Sequence, residues 1–102
     1  MSMLYTVNKS PFERPALETC LRLATAGGAV LLIEDGVYAA LKGTAKSALV
    51  EAHQGDLSFY VLDSDLDARG LADKPLIDGI SRVDYGGFVD LVEKHDSVHA
   101  WL

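Results

Sequence analysis

The sequence has a single cysteine, Cys20, and this scarcity limits its chemistry. One thiol cannot form a disulfide within the chain or a Cys-x-x-Cys redox pair. A chain without structural disulfides is typical of a reducing compartment, so we expect a cytoplasmic protein. Long apolar runs are missing as well, since the longest, residues 29–33, has the length of a strand. We therefore expect neither a signal peptide nor a membrane-spanning helix.

Basic residues are few. Nine Lys and Arg stand against fifteen Asp and Glu, which gives a formal net charge of −6. Such a chain repels phosphate backbones and anionic lipids, so we expect no direct contact with nucleic acid or membrane. With 49% hydrophobic residues, the 102 residues are expected to form one domain, residues 1–102, with a core that needs no disulfide or metal. The mean hydropathy of +0.15 is high for a small soluble monomer and hints at apolar surface that partners cover.

Segments with a strand pattern alternate with segments of helical pattern. Residues 29–33 are apolar on both faces, as in a parallel strand that helices cover on each side. Pro15 suits the first position of a helix whose apolar stripe contains Leu17 and Leu21, and Asp84 suits the cap of a later one. The pattern predicts a three-layer α/β/α domain with a mostly parallel sheet of about five strands. The predicted strands are residues 3–7, 29–33, 57–62, 80–85 and 98–102. The predicted helices are residues 15–25, 37–41, 45–54, 65–69 and 86–95.

Cys20 is the strongest candidate nucleophile in the sequence. It lies at the edge of the apolar stripe of the helix predicted over residues 15–25. A helix dipole lowers the pKa of a thiol in the first turn, and Cys20 lies beyond that turn. With a pKa of about 8.5, only a few per cent of the thiol would be ionised at neutral pH. Two interpretations stay open: a small residue that fills the core, or a catalytic thiol that acts with groups on other chains.

The tripeptide Glu34-Asp35-Gly36 follows the predicted buried strand. Ligands of open α/β sheets bind at the carboxyl ends of the strands, so these carboxylates could form a small acidic site. The competing interpretation, which we favour, is that Asp35 caps the next helix and Gly36 permits the bend.

Other candidate sites have weaker support. His95 and His99 have metal-ligand spacing, but Asp96-Ser97 interrupts the helix that would align them, so we expect no metal there or at His53. The Gly-Gly pairs at residues 27–28 and 86–87 do not belong to a GxGxxG or Walker motif, so no nucleotide cofactor is expected. Surface charges in the first loop, Lys9 and Arg14, could meet an anionic partner. Trp101 is an anchor either for packing or for a subunit interface.

A set of segments spans nearly the whole chain. It consists of Thr-Val-Asn-Lys-Ser-Pro-Phe at residues 6–12, Leu-Leu-Ile-Glu-Asp-Gly-Val-Tyr-Ala-Ala-Leu at residues 31–41, Tyr-Val-Leu at residues 60–62, Asp-Leu-Asp-Ala-Arg-Gly at residues 65–70, Val-Asp-Tyr at residues 83–85, Phe-Val at residues 88–89 and Ala-Trp at residues 100–101. Together these segments resemble the DsrH/TusB family of sulfur-relay subunits. Cys20 matches the cysteine of DsrH-type members, which TusB-type members typically lack, so DsrH is the closer match.

The resemblance implies a fold shared with the sister subunits DsrE and DsrF, and a hetero-hexamer with two copies of each chain. Complexes of this family relay sulfane sulfur as a protein persulfide to a small carrier, DsrC in sulfur oxidisers or TusE in tRNA thiolation. The principal acceptor cysteine belongs to the DsrE or TusD subunit, and Cys20 would be an accessory persulfide site. No cofactor or metal is implied.

Four hypotheses follow. The leading one is a DsrH-like subunit of a cytoplasmic sulfurtransferase complex in sulfur oxidation, which is not an enzyme by itself. A second makes the chain purely architectural, with Cys20 as packing, and a third is a TusB-like subunit in tRNA 2-thiouridine synthesis. The least supported is a self-sufficient rhodanese-like enzyme, which would need its cysteine in a loop of backbone amides rather than in a helix.

Overall fold

A five-stranded parallel sheet forms the centre of the molecule in residues 2–102, which the computed structural model describes. The strands follow the order β4-β3-β2-β1-β5, and each neighbouring pair is parallel. This confirms the predicted α/β class with its parallel sheet. The strands are β1 Met3–Val7, β2 Ala29–Leu32, β3 Ser58–Leu62, β4 Ser81–Val83 and β5 Ser97–Trp101.

Helices connect the strands and cover both faces of the sheet. The helices are α1 Ala16–Leu23, a 3₁₀ helix Glu34–Ala40, α2 Ser47–Glu51, α3 Asp63–Ala68 and α4 Tyr85–Lys94. The boundaries differ from the predicted ones by one to three residues at most ends. Such shifts are expected because helix ends are set by local hydrogen bonds rather than by apolar spacing.

The alternation of side chains along the strands divides the core in two. On one face, Tyr5 and Val7 of β1 belong to a large core, to which Leu17 of α1 and Leu66 of α3 contribute. On the other face, Leu4 of β1 packs in a smaller core with Leu31 and with Leu91 of α4. Successive side chains of a strand point to opposite faces, so one apolar strand supplies both cores. The three-layer arrangement is confirmed, with most of the helical cover on the first face.

Helix α1 ends earlier than its predicted end at Thr25. Its last residue is Leu23, and Ala24 is already extended. The Thr25 N–H donates to the Tyr5 hydroxyl oxygen at 2.8 Å, a long-range bond that replaces the next helical one. Gly27 adopts a left-handed conformation, with φ of 92°, and lies after the extended residues rather than at the helix end.

The 3₁₀ helix corrects the prediction of a helix that starts at Val37 and is capped by Asp35. The helix starts at Glu34, Asp35 lies inside it, and no side chain caps it. Instead the Gly36 N–H donates to the main-chain oxygen of Ile33 at 2.8 Å. An added Cβ at Gly36 would overlap the carbonyl oxygen of Val7, so the bare backbone lets this helix pack directly on the end of β1.

The cap of α4 is as predicted. The Asp84 Oδ1 accepts the N–H of Gly87 at 2.8 Å, which satisfies one of the free amides of the first turn. Strand β4 is shorter than its predicted range, residues 80–85, because α4 begins at Tyr85 and Asp84 serves as its cap.

Candidate functional site

Cys20 lies on the buried side of α1. Its exposed fraction is 0%, and it belongs to the large core together with Leu17 and Leu21 of the same helix. The edge position in the apolar stripe therefore points into the protein, not to its surface. In the chain by itself the thiol is packed like a small apolar side chain.

Burial also changes the ionisation of this thiol. It raises the pKa of Cys20 from its ordinary value to about 12, because the thiolate would lose its hydration in the core. At pH 7 about one molecule in 10⁵ would then carry the thiolate that sulfur exchange requires. The few per cent expected for an ordinary thiol is wrong for the folded chain, since that value assumed a solvated side chain.

The raised pKa predicts a pH dependence of stability. In the unfolded chain the thiol ionises near pH 8.5, whereas the folded chain keeps its proton up to about pH 12. Above pH 8.5 the unfolded state therefore binds fewer protons, and the free energy of unfolding falls as the pH rises. We expect Cys20 to contribute a loss of about 1 to 2 kcal/mol between pH 8 and pH 10, measured by urea unfolding.

The matched control is Cys20→Ala, which lacks the titrating group. All other ionisable groups are the same in both chains, so the difference between the two pH profiles isolates the thiol. Parallel profiles from pH 8 to pH 10 would contradict a buried, protonated Cys20.

The carboxyl end of the sheet holds a network of charged side chains. The Arg69 Nε donates to the Asp35 Oδ1 at 2.9 Å, and the Arg69 Nη1 donates to the main-chain oxygen of Asp65 at 3.2 Å. The Asp65 carboxylate in turn accepts the N–H of Glu34 at 2.7 Å. Asp35 is thus neither an unpaired acidic group nor a helix cap, and α3 is tied to the first turn of the 3₁₀ helix.

Glu34 adopts a conformation that is uncommon for a residue with a side chain. Its φ is 48°, in the left-handed region, where Cβ crowds the main chain. The Asp65 hydrogen bond and the close packing of Gly36 hold it there. Strained residues of this kind collect at functional sites, so the turn after β2 is a candidate site on physical grounds.

A cavity of about 350 Å³ opens beside this turn. Ser10, Phe12 and Glu13 line one side, and Asp35 and Tyr38 line the other. Two aromatic rings, two carboxylates and a hydroxyl thus converge on one concave surface at the carboxyl edge of the sheet, where open α/β folds bind their ligands.

The histidines do not form a site together. The Nδ1 atoms of His53 and His95 lie 2.9 and 2.7 Å from the main-chain oxygens of Leu49 and Leu91, each four residues earlier. His99 stacks on Trp101 with ring centroids 5.0 Å apart. Within residues 2–102, no three His, Cys, Asp or Glu side chains are grouped so as to hold a metal ion.

The remaining candidates lie at the surface or at its margin. Lys9 and Arg14 are exposed in the first loop. Trp101 is half-buried and packs against the large core, and its indole nitrogen is buried without a hydrogen-bond partner in the described residues. In the part of the chain that the structure describes, no helix is both long and apolar enough to span a bilayer.

Arg69 and the aromatic side chains of the cavity are functional candidates that the sequence does not predict. Asp65 and Arg69 are four residues apart, a spacing that predicts an ion pair on a helix. In the structure the Arg69 Nη1 lies 3.8 Å from the Asp65 Oδ1. That spacing alone does not reveal the bond to Asp35, which is 34 residues away in the chain. Phe12 and Tyr38 carry no signal in a single sequence that separates them from packing residues.

Comparison with known proteins decides the family. A family model described as DsrH like protein matches residues 9–98. The chain belongs to this DsrH-like family. The resemblance found in the sequence is thereby confirmed, and the match covers the loop with Ser10, the 3₁₀ helix and α3.

Two relatives of the DsrH-like chain carry the name TusB. The protein from Serratia proteamaculans is 43% identical over 101 residues, which cover 97% of this chain and 100% of the relative. The protein from Yersinia pestis is 40% identical over 99 residues, with the same coverage. The family thus joins DsrH-like and TusB names, as the resemblance implied.

The solved structure of the ychN protein from E. coli has the same fold. Its TM-score is 0.87, and the match covers 98% of each chain at 21% sequence identity. At this identity the likeness concerns the fold, and it agrees with the parallel three-layer architecture described above.

Proposed function

We propose that this chain is a TusB-type subunit of a cytoplasmic complex that relays persulfide sulfur to a TusE-like carrier for tRNA thiolation. The observation that carries the proposal is the identity of 43% to a protein named TusB, over 97% of this chain and the whole of that relative. Sulfur oxidation was the leading hypothesis from the sequence, and the names of the relatives move the preference to the tRNA branch.

The state of the thiol supports a subunit rather than a complete catalyst. Transfer requires a thiolate to attack a sulfane sulfur, which forms a new persulfide and releases the donor thiolate. Cys20 is buried and protonated, and the sequence holds no second thiol. We therefore place the principal acceptor cysteine on a DsrE- or TusD-like sister subunit, with DsrF- or TusC-like chains completing a hexamer of two copies each.

The surface of α4 supports assembly with such partners. Tyr85 and Val89 are more than half exposed, and Val92 is 37% exposed, so the three form an apolar stripe at helical spacing. An exposed stripe of this kind on a short chain is typical of a surface that another subunit covers.

Two roles remain for Cys20 within this proposal. As an accessory persulfide site it needs α1 to move when the complex assembles, because the isolated fold gives a sulfur donor no access. As a core residue it contributes packing alone, which its complete burial favours. We propose that Cys20 is a packing residue in the isolated chain. The test of whether it is loaded with sulfur has to be made on the assembled complex.

A second candidate function is sulfur oxidation with a DsrC-like carrier. The presence of Cys20, which TusB-type members typically lack, favours this branch, as does the DsrH name of the matching family model. Both branches share the subunit role and differ in the carrier that receives sulfur.

Intact-mass spectrometry of the co-purified complex tests where sulfur resides. We expect sister chains to co-purify with this one. After exposure to a sulfane donor, we expect the DsrE- or TusD-like chain to gain about 32 mass units, one sulfur atom. We expect this chain to remain unmodified, and its Cys20→Ser variant to leave transfer intact. If this chain instead gains about 32 mass units, and Cys20→Ser abolishes that gain, Cys20 is the accessory persulfide site.

A deletion strain separates the two branches. Loss of 2-thiouridine from tRNA, restored by the intact gene, is the expected result. Normal tRNA thiolation with failure to oxidise sulfur compounds would select the DsrC branch. Recovery of the chain as a monomer without partners would remove the subunit proposal itself.

A further inference from the structure

The cavity beside the turn after β2 has the composition of a cation site. Phe12 and Tyr38 supply aromatic surface, and Glu13 and Asp35 supply carboxylates. Phe12 is 50% exposed, so its ring is accessible to an incoming group. Aromatic faces and carboxylates together are the combination that a guanidinium group prefers, since it stacks on rings and donates in pairs to carboxylates.

The charge of the cavity remains negative after its internal ion pairs are counted. Arg69 pairs with Asp35 and with Asp65, so one positive charge faces two negative ones, and Glu13 adds a third. Within residues 2–102 no Lys or Arg lies within ion-pair distance of Glu13, not even its neighbour Arg14. Asp35 keeps 55% of its side chain exposed despite the bond to Arg69, so it can accept from a second donor.

Ser10 adds a hydroxyl group to the lining of the cavity. Its exposed fraction is 8%, yet it lines the opening. Its hydroxyl oxygen accepts the Phe12 N–H at 3.3 Å, but no acceptor for its own proton is present among the described residues. A hydroxyl can donate one hydrogen bond as well as accept, and a main-chain carbonyl of an incoming segment is a suitable acceptor for its proton.

We propose that this cavity binds an arginine side chain of a partner protein. The guanidinium lies against Phe12 and Tyr38 and donates to Glu13 and Asp35, while a main-chain carbonyl of the same segment accepts from Ser10. A volume of about 350 Å³ is far larger than the roughly 30 Å³ of a water molecule, so it has room for a long side chain. This recognition depends on charge and shape alone and is independent of sulfur transfer.

Titration of the ¹⁵N-labelled full chain with N-acetylarginine methylamide tests the proposal by NMR. We expect saturable shifts confined to the amides of residues 10–13 and 35–38, with a Kd on the order of millimolar for this single-residue probe. The citrulline analogue has the same size without the charge, and we expect it to cause no saturable shift. Salt at about 0.5 M is expected to weaken arginine binding, since screening acts on exposed carboxylates.

Substitutions separate a specific site from general attraction to an acidic protein. We expect Glu13→Gln and Phe12→Ala each to weaken binding roughly two- to fivefold, as for partly exposed charge and ring contacts. Glu93→Gln removes an exposed carboxylate on α4 and is the matched control, expected to leave the Kd unchanged. Equal binding of citrulline, shifts spread over the acidic surface, equal losses with Glu93→Gln, or no saturation up to about 50 mM would each overturn the proposal. None of these outcomes bears on the sulfur-relay role.

Discussion

Replacement of Gly36 by alanine is expected to destabilise the fold severely. The new Cβ would overlap the carbonyl oxygen of Val7 and lie 2.9 Å from its carbonyl carbon, and both are main-chain atoms that no rotamer change can move. Overpacking in a core typically costs about 1 to 3 kcal/mol, and a clash with a central strand belongs at or above the upper end. We expect a loss of about 3 kcal/mol or more in the free energy of unfolding, a large part of a small domain's stability, measured by urea denaturation.

Gly55→Ala is the matched control for this substitution. Gly55 has nothing within 4 Å of an added Cβ, and its φ is not positive, so alanine fits without strain. We expect the free energy of unfolding to change by no more than about 1 kcal/mol, with a slight gain because alanine makes the unfolded chain less flexible. If the two alanine variants unfold at the same urea concentration, the 3₁₀ helix does not pack on β1 as described.

This glycine also shows where prediction from the sequence stops. In the sequence Gly36 follows Asp35, a position that predicts a residue permitting a bend. The structure assigns it a different role, since the 3₁₀ helix approaches the end of β1 so closely that no side chain fits. A close approach between residues 7 and 36 is a tertiary contact, and no local pattern encodes it.

The architecture was predictable because it depends on periodicity. The run at residues 29–32 is buried throughout, and α1 buries an apolar stripe, so a covered parallel sheet follows from the pattern. Asp84 was predictable as a cap since capping is local. Helix ends were less accurate because a distant group, the Tyr5 hydroxyl, takes the amide of Thr25.

The candidate site was predictable only in its position. A small acidic site at the carboxyl end of β2 is the less favoured of the two interpretations of the sequence, and the cavity does include Asp35. Its remaining parts come from the first loop, from Tyr38 and from Arg69 at the end of α3, which come together only after folding. The burial of Cys20 could not be predicted for the same reason, because an edge position on a helix is exposed or buried according to what packs beside it.

Alkylation of Cys20 should therefore be very slow in the folded chain. A reagent such as iodoacetamide needs a thiolate that it can reach, and here the thiol is fully buried and its pKa is raised to about 12. Modification then proceeds through transient opening of α1, whose population limits the rate. At pH 8 we expect alkylation at least about 10²-fold slower than in urea-unfolded chain, followed by mass spectrometry.

A surface cysteine provides the reference for this rate. Ala48 is exposed on α2, so Ala48→Cys in a Cys20→Ala chain is expected to react within about tenfold of the unfolded rate. Reaction of the native Cys20 at that same rate, with unchanged circular dichroism, would contradict the burial of the thiol.

The same measurement on the assembled complex connects this chemistry to function. If Cys20 packs the core and nothing more, its alkylation stays slow when the sister subunits are present. If it carries sulfur as an accessory site, assembly has to expose it, and the rate rises towards that of the surface cysteine. Protection that persists in a complex active in sulfur transfer places the relay on the sister chains and leaves this chain an architectural role, because a thiol that no donor reaches cannot exchange sulfur.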